Sequence, residues 1–81
     1  MNQEQVFMVL VGERNYQDMK WGPLPAHGHE VASWIVYMDV YLQKAKEAAT
    51  VGDISNALHA IRKVTALGVI CGEQHGLPAR D

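Results

Sequence analysis

Ala48-Ala49-Thr50-Val51-Gly52-Asp53-Ile54-Ser55-Asn56-Ala57-Leu58 is the stretch whose reading decides the fold. Gly52 suits the end of a helix, where the backbone often turns left-handed, and Asp53 suits the N-cap of the next one. Upstream, Trp34, Ile35, Met38, Tyr41 or Leu42, Ala45 and Ala48 or Ala49 recur at three-to-four spacing. Downstream, Ile54, Ala57, Leu58, Ile61, Val64, Leu67 and Ile70 or Cys71 do the same. That is the period of a helix with one apolar face. The pattern predicts a helix from near His29 or Glu30 to about Thr50 and another from Ile54 to about Gly72 or Gln74. So short a connection makes the two antiparallel neighbours. Glu30 in the first turn, with Lys44 and Lys46 toward the other end, agrees with the helix dipole.

Working outward, a third helix is expected from about Asn2 to about Met19. Val6, Val9 or Leu10, and Tyr16 give it an apolar face, but Phe7, Met8 and Val11 make it apolar almost all round. Such a helix is covered on more than one side. In a chain of 81 residues the second cover is expected to be another subunit. Gly12 weakens this helix by about 1 kcal/mol relative to Ala and can mark a bend. Lys20 to His29 reads as a loop, because Pro23 and Pro25 oppose helix and Gly22 and Gly28 give turn freedom. Gly76 and Pro78 end regular structure and leave a tail from Leu77 to Asp81. The expected architecture is all-α: two long antiparallel helices plus an N-terminal helix, in one domain spanning residues 1–81, assembled as a homo-oligomer.

Composition narrows the function classes. A chain this short buries only roughly 60% of the surface it exposes when unfolded. One cysteine, Cys71, rules out an intrachain disulfide and a multi-cysteine zinc site. A hydrophobic fraction of 48% with no such staple again points to self-association. A net charge of −2 argues against binding a DNA or RNA polymer through a general basic surface. The N-terminus is acidic and polar, unlike a signal peptide, and the run from Val6 to Val11 is too short to span a membrane. A free thiol fits a reducing cytoplasm.

The segment Glu13-Arg14-Asn15-Tyr16-Gln17-Asp18-Met19-Lys20-Trp21-Gly22 is the richest in chemistry. It concentrates charges, amides and aromatics in a way that suits recognition of a flat, polar, anionic ligand. Its Glu-Arg…Gln-Asp-x-Lys-Trp-Gly pattern, the His-containing loop and Trp34 opening an apolar helix resemble small phage-encoded MazG-like proteins. The resemblance runs from about Glu13 to His75. It implies an all-α relative of nucleotide pyrophosphohydrolases, working in the cytoplasm of an infected bacterium. Those enzymes carry a Glu-Glu-x-x-Glu cluster after the tryptophan that holds Mg²⁺. Counted from Trp34, the corresponding places hold Val40, Tyr41 and Lys44. Asp39 is one residue off, about 100° around the helix. On the next helix, Ala60 and Lys63 stand where acidic or amide residues belong, with Arg62 beside them. The resemblance therefore implies lost metal chemistry, no cofactor, and phosphate binding taken over by ammonium and guanidinium groups. In size and layout the chain is also similar to phage sponges that sequester cyclic-nucleotide immune signals.

Each candidate has an ordinary structural role beside its functional one. Trp21 stacks on a nucleobase or closes the bundle end; Tyr16 does likewise or meets a subunit. Arg14 and Lys20 contact phosphate or are solvated charges. Gln17 and Glu13, four apart on one face, read a base edge or bond along the helix. His27, paired with His29 in the loop, contacts phosphate or caps a helix. Lys44, Arg62 and Lys63 bind phosphate or face water. Trp34 and Cys71 read as core. The leading expectation is a non-catalytic protein that sequesters a nucleotide-derived small molecule. Its alternatives are a Mg²⁺-dependent pyrophosphohydrolase using Asp39, Glu47, Glu30 and Glu73, and a protein–protein inhibitor of a host enzyme acting through its first helix.

Overall fold

A computed structural model of the chain describes residues 1–23 and 28–80. Within them the chain is all-helical, with α1 over Gln3–Trp21, α2 over Val31–Thr50 and α3 over Ile54–His75. Asn2 starts α1 with a capping box: its side chain accepts from the Gln5 amide, and the Gln5 side chain accepts from the Asn2 amide. The helix extends two residues past its expected end. Lys20 and Trp21 therefore stand on its last turn and not in a loop. Gly22 supplies the reason: at φ 86° its N–H still reaches back to the Asp18 carbonyl, and the chain leaves the helix only there.

Glu30, with extended backbone, is the residue before α2 and not part of its first turn. The reversal at Val51–Asp53 is as the sequence dictates. Gly52 takes φ 76°, and the Asp53 side chain accepts from the Asn56 amide at 3.1 Å. Gly76, at φ 83°, ends α3 one residue beyond Gln74 and bonds back to the Gly72 carbonyl.

α3 is the central element, with both α2 and α1 packed on it. Trp34, Leu67 and Ile70 form the buried core, joined by Met38, Tyr41 and Cys71. Ala45 on α2 and Ala57, Ala60 and Ala66 on α3 are buried as well. Part of the expected stripe of α3 lies outside this core, for Ile54, Leu58 and Ile61 are exposed. On α2, Ile35 and Leu42 are exposed while Trp34, Met38, Tyr41 and Ala45 face inward. On α1, Val6, Phe7, Met8, Val9 and Val11 are all exposed, Phe7 at 55% and Met8 at 71%. No helix among the described residues is long and apolar enough to cross a membrane.

Candidate functional site

Two ionic contacts seat α1 on α3. Arg62 Nε donates to Glu13 Oε1 at 2.7 Å, and Arg14 Nε donates to Glu73 Oε2. Arg14 also donates to Asp18 at 3.0 Å and to the Gln17 side-chain oxygen at 3.1 Å. Burial alone would lower the Arg14 pKa. The hydrogen bonds and charges of Glu73 and Asp18 outweigh it and hold the guanidinium above its ordinary value.

This seating opens a cleft of about 300 Å³ lined by Glu13, Tyr16, Gln17, Lys20, Trp21, Tyr41, Arg62 and Lys63. Residues 16, 17, 20 and 21 meet there because α1 continues to Trp21, so that i, i+4 and i+5 positions share one side of the helix. α2 contributes Tyr41, and α3 contributes Arg62 and Lys63. Cations surround the aromatic rings. The Lys44 and Lys63 ammoniums lie 5.0 and 5.5 Å from the Tyr41 ring centre. Lys20 lies 6.0 Å from the Tyr16 ring and 5.9 Å from that of Trp21. None of these three lysines pairs with a carboxylate among the described residues. Arg62 differs, since Glu13 already balances its charge.

A second hollow, of about 390 Å³, adjoins the first and shares Trp21 and Tyr41 with it. His29, Trp34, Tyr37 and Leu67 complete its described wall. The His29 ring meets Trp34 edge-on at 4.8 Å and Tyr37 at 5.0 Å. Its backbone is held on both sides: its N–H donates to Gln74 Oε1 at 3.0 Å, and its carbonyl lies 2.8 Å from His75 Nε2. Gln74 Oε1 also accepts the Trp34 indole N–H at 2.8 Å.

The structure thus gathers Tyr16, Gln17, Lys20, Trp21, Arg62 and Lys63 around one cleft and sets Lys44 at its edge over Tyr41. Arg14 stands apart, buried at the α1–α3 contact. His27 lies outside the described residues. Asp39, Glu30 and Glu47 are exposed and Glu73 is committed to Arg14, so these four do not converge. Among the described residues no group of His, Cys, Asp and Glu is arranged to hold a metal. Sequence reading does not single out Tyr41 in the cleft wall, Tyr37 in the second hollow or Gln74 as contributors, and it places Glu73 only among the carboxylates of a hydrolase, not as the partner of Arg14. Tyr41 reads as core because it fits the apolar period. The partners of Glu73 and Gln74 lie 59 and 40 residues away in sequence, so no local signal marks them. No protein-family profile, no curated protein and no solved structure matches this chain, so function rests on the chemistry of the cleft.

Proposed function

We propose that the protein binds a nucleotide or cyclic nucleotide and holds it without cleaving it. The observation that carries this reading is the set of lysines 20, 44 and 63, unpaired with carboxylates and disposed over the rings of Tyr16, Trp21 and Tyr41. Ammonium groups without counter-ions attract phosphate, and aromatic faces accept bases. The positions where the MazG-like resemblance implies metal-binding, acidic or amide residues are filled here by Val40, Tyr41 and Lys44 on α2 and by Ala60 and Lys63 on α3. That replacement favours binding over hydrolysis. In the phage setting the resemblance suggests, such a protein acts as a sponge for an immune signal.

The apolar residues displayed on α1 support a homo-oligomer. Packing α1 against a second copy removes Phe7, Met8 and Val11 from water, at roughly 25 cal/mol per Å² buried. Light scattering on the purified protein tests this, and a monomer at micromolar concentration speaks against it.

The ligand reading is tested by incubation and recovery. The protein is mixed with Mg²⁺ and a panel of nucleoside triphosphates, cyclic di- and trinucleotides and cyclic ADP-ribose derivatives. The filtrate is analysed before and after heat denaturation. Sequestration removes a compound from the filtrate and returns it intact on heating. A cleaved product revives the hydrolase, whereas a panel left untouched favours a protein–protein inhibitor.

A further inference from the structure

Gln17 is 2% exposed, yet it lines the cleft. Its side-chain oxygen accepts from Arg14 Nη1 at 3.1 Å. Arginine only donates, so the oxygen must face Arg14 and the NH₂ end must point away from it. No acceptor among the described residues pairs with that NH₂ group. A buried amide donor without a partner is costly, and native structures avoid it unless something else supplies the acceptor. One turn earlier on the same helix face, Glu13 also lines the cleft. Its Oε1 is taken by Arg62, and its Oε2 has no partner among the described residues. The wall formed by α1 therefore offers a donor beside an acceptor, each with its other end fixed by an arginine.

We infer that Gln17 and Glu13 read the edge of a nucleobase, Gln17 Nε2 donating to a ring nitrogen or carbonyl and Glu13 Oε2 accepting an adjacent N–H. Arg14 is the positioning residue. It reaches Gln17 from a site held by Glu73 and Asp18 and stops the amide from turning over. The ligand class is then a base with an unblocked Watson–Crick edge, attached to phosphates that lie toward the lysines. This deepens the nucleotide reading above and rests on it. A bare polyphosphate satisfies the lysines and leaves Gln17 unpaired. A site built to hydrogen-bond a ligand group rejects analogues that lack it far more strongly than an apolar pocket rejects a missing methylene.

The test is calorimetric titration with GTP, ATP, CTP, UTP, cyclic di-GMP, cyclic di-AMP and inorganic tripolyphosphate. Wild type is compared with Gln17→Met, which keeps the side chain's length and removes the donor. We expect the tightest nucleotide to lose tenfold or more in affinity with Gln17→Met while tripolyphosphate affinity stays within twofold. Arg14→Met removes a contact that seats α1 as well as the bond that orients the amide, so it is read as a ratio: in the folded variant nucleotide affinity falls more than tripolyphosphate affinity, whereas equal losses for both ligands would limit Arg14 to seating the helix. A measurement on wild type needs no folded variant: methylating the Watson–Crick edge of the tightest nucleotide, as in N1-methyl-GTP or N3-methyl-UTP, weakens it at least tenfold. Nucleotides that bind equally well with the edge methylated, or to a folded Gln17→Met, overturn this inference and leave nucleotide binding standing. If no nucleotide binds more tightly than tripolyphosphate, the nucleotide reading falls and this inference with it.

Discussion

Glu13 and Arg62 join α1 to α3 through a 2.7 Å ion pair, and the next residue, Arg14, repeats the contact with the charges reversed through Glu73. Adjacent residues of opposite sign thus grip two places on α3 one helical stretch apart. The arrangement resists sliding of α1 along α3, because a shift of a few ångströms would part both pairs. The Glu13 side chain is 9% exposed and that of Arg62 29%, so solvent screens this pair only in part. Glu13→Gln is expected to cost about 1–2 kcal/mol, between the values for exposed and buried pairs. Urea denaturation of Glu13→Gln, Arg62→Gln and the double variant gives the coupling. A coupling near zero would show that the pair does not anchor α1.

The hairpin of α2 and α3 was legible because two signals agreed: a three-to-four apolar period on each side and a Gly-Asp reversal between them. The width of the buried face of α3 was not. Ala57, Leu67 and Ile70 of the expected stripe are buried, but so are Ala60 and Ala66, while Ile54, Leu58 and Ile61 are exposed; α3 packs against both α1 and α2, and a single apolar stripe does not mark two covered sides. α1 was legible as a helix but not in its end, since Gly22 absorbs the turn that Pro23 requires. That detail moved Lys20 and Trp21 from a loop onto the helix and into register with Tyr16 and Gln17. Arg14 looked like a phosphate ligand from its neighbours in sequence. Its place at the helix contact depends on Glu73, for which nothing local gives a sign.

Gly12 offers a test of whether α1 is held by its own propensity or by packing. It lies inside α1, and a Cβ added there meets no atom within 4 Å. Gly12→Ala is therefore expected to stabilise the protein by about 0.5–1 kcal/mol. For a domain of this size that raises Tm by roughly 2–8 °C. Thermal unfolding followed by circular dichroism reads it directly. A lower Tm would mean that another chain approaches α1 at Gly12, since none of the described residues does.

Asp53 gives a pH dependence with a defined sign. The Asn56 backbone N–H bonds its carboxylate at 3.1 Å and the Asn56 side chain at 2.6 Å; these contacts hold its pKa below the usual carboxylate value. A pKa lowered by folding means stabilisation that is full above the unfolded value, about 4. It is lost as pH falls through the folded value. The Tm difference between wild type and Asp53→Ala should thus be constant from pH 7 to about 5 and shrink below pH 4. Measuring the difference cancels the other carboxylates to first order. A difference that does not change with pH would assign the cap to the helix geometry and not to the charge.

Lys63 and Lys44 converge on one ring, that of Tyr41, from two different helices. Removing either should leave the fold intact, because both side chains are exposed and make no ion pair among the described residues. A charge-assisted hydrogen bond contributes about 1.5–3 kcal/mol, so Lys63→Met or Lys44→Met should weaken nucleotide binding about tenfold or more, with little change in Tm. Binding should also fall with added salt, and less steeply in each variant than in wild type. Tyr41→Leu separates the two parts of the site: it keeps the lysines and removes the ring that orients them. It should weaken nucleotides more than tripolyphosphate, by the roughly 1–3 kcal/mol associated with base stacking. Equal losses for both ligands would show that Tyr41 only spaces the lysines. Unchanged nucleotide affinity in all three variants would place the ligand elsewhere on the molecule.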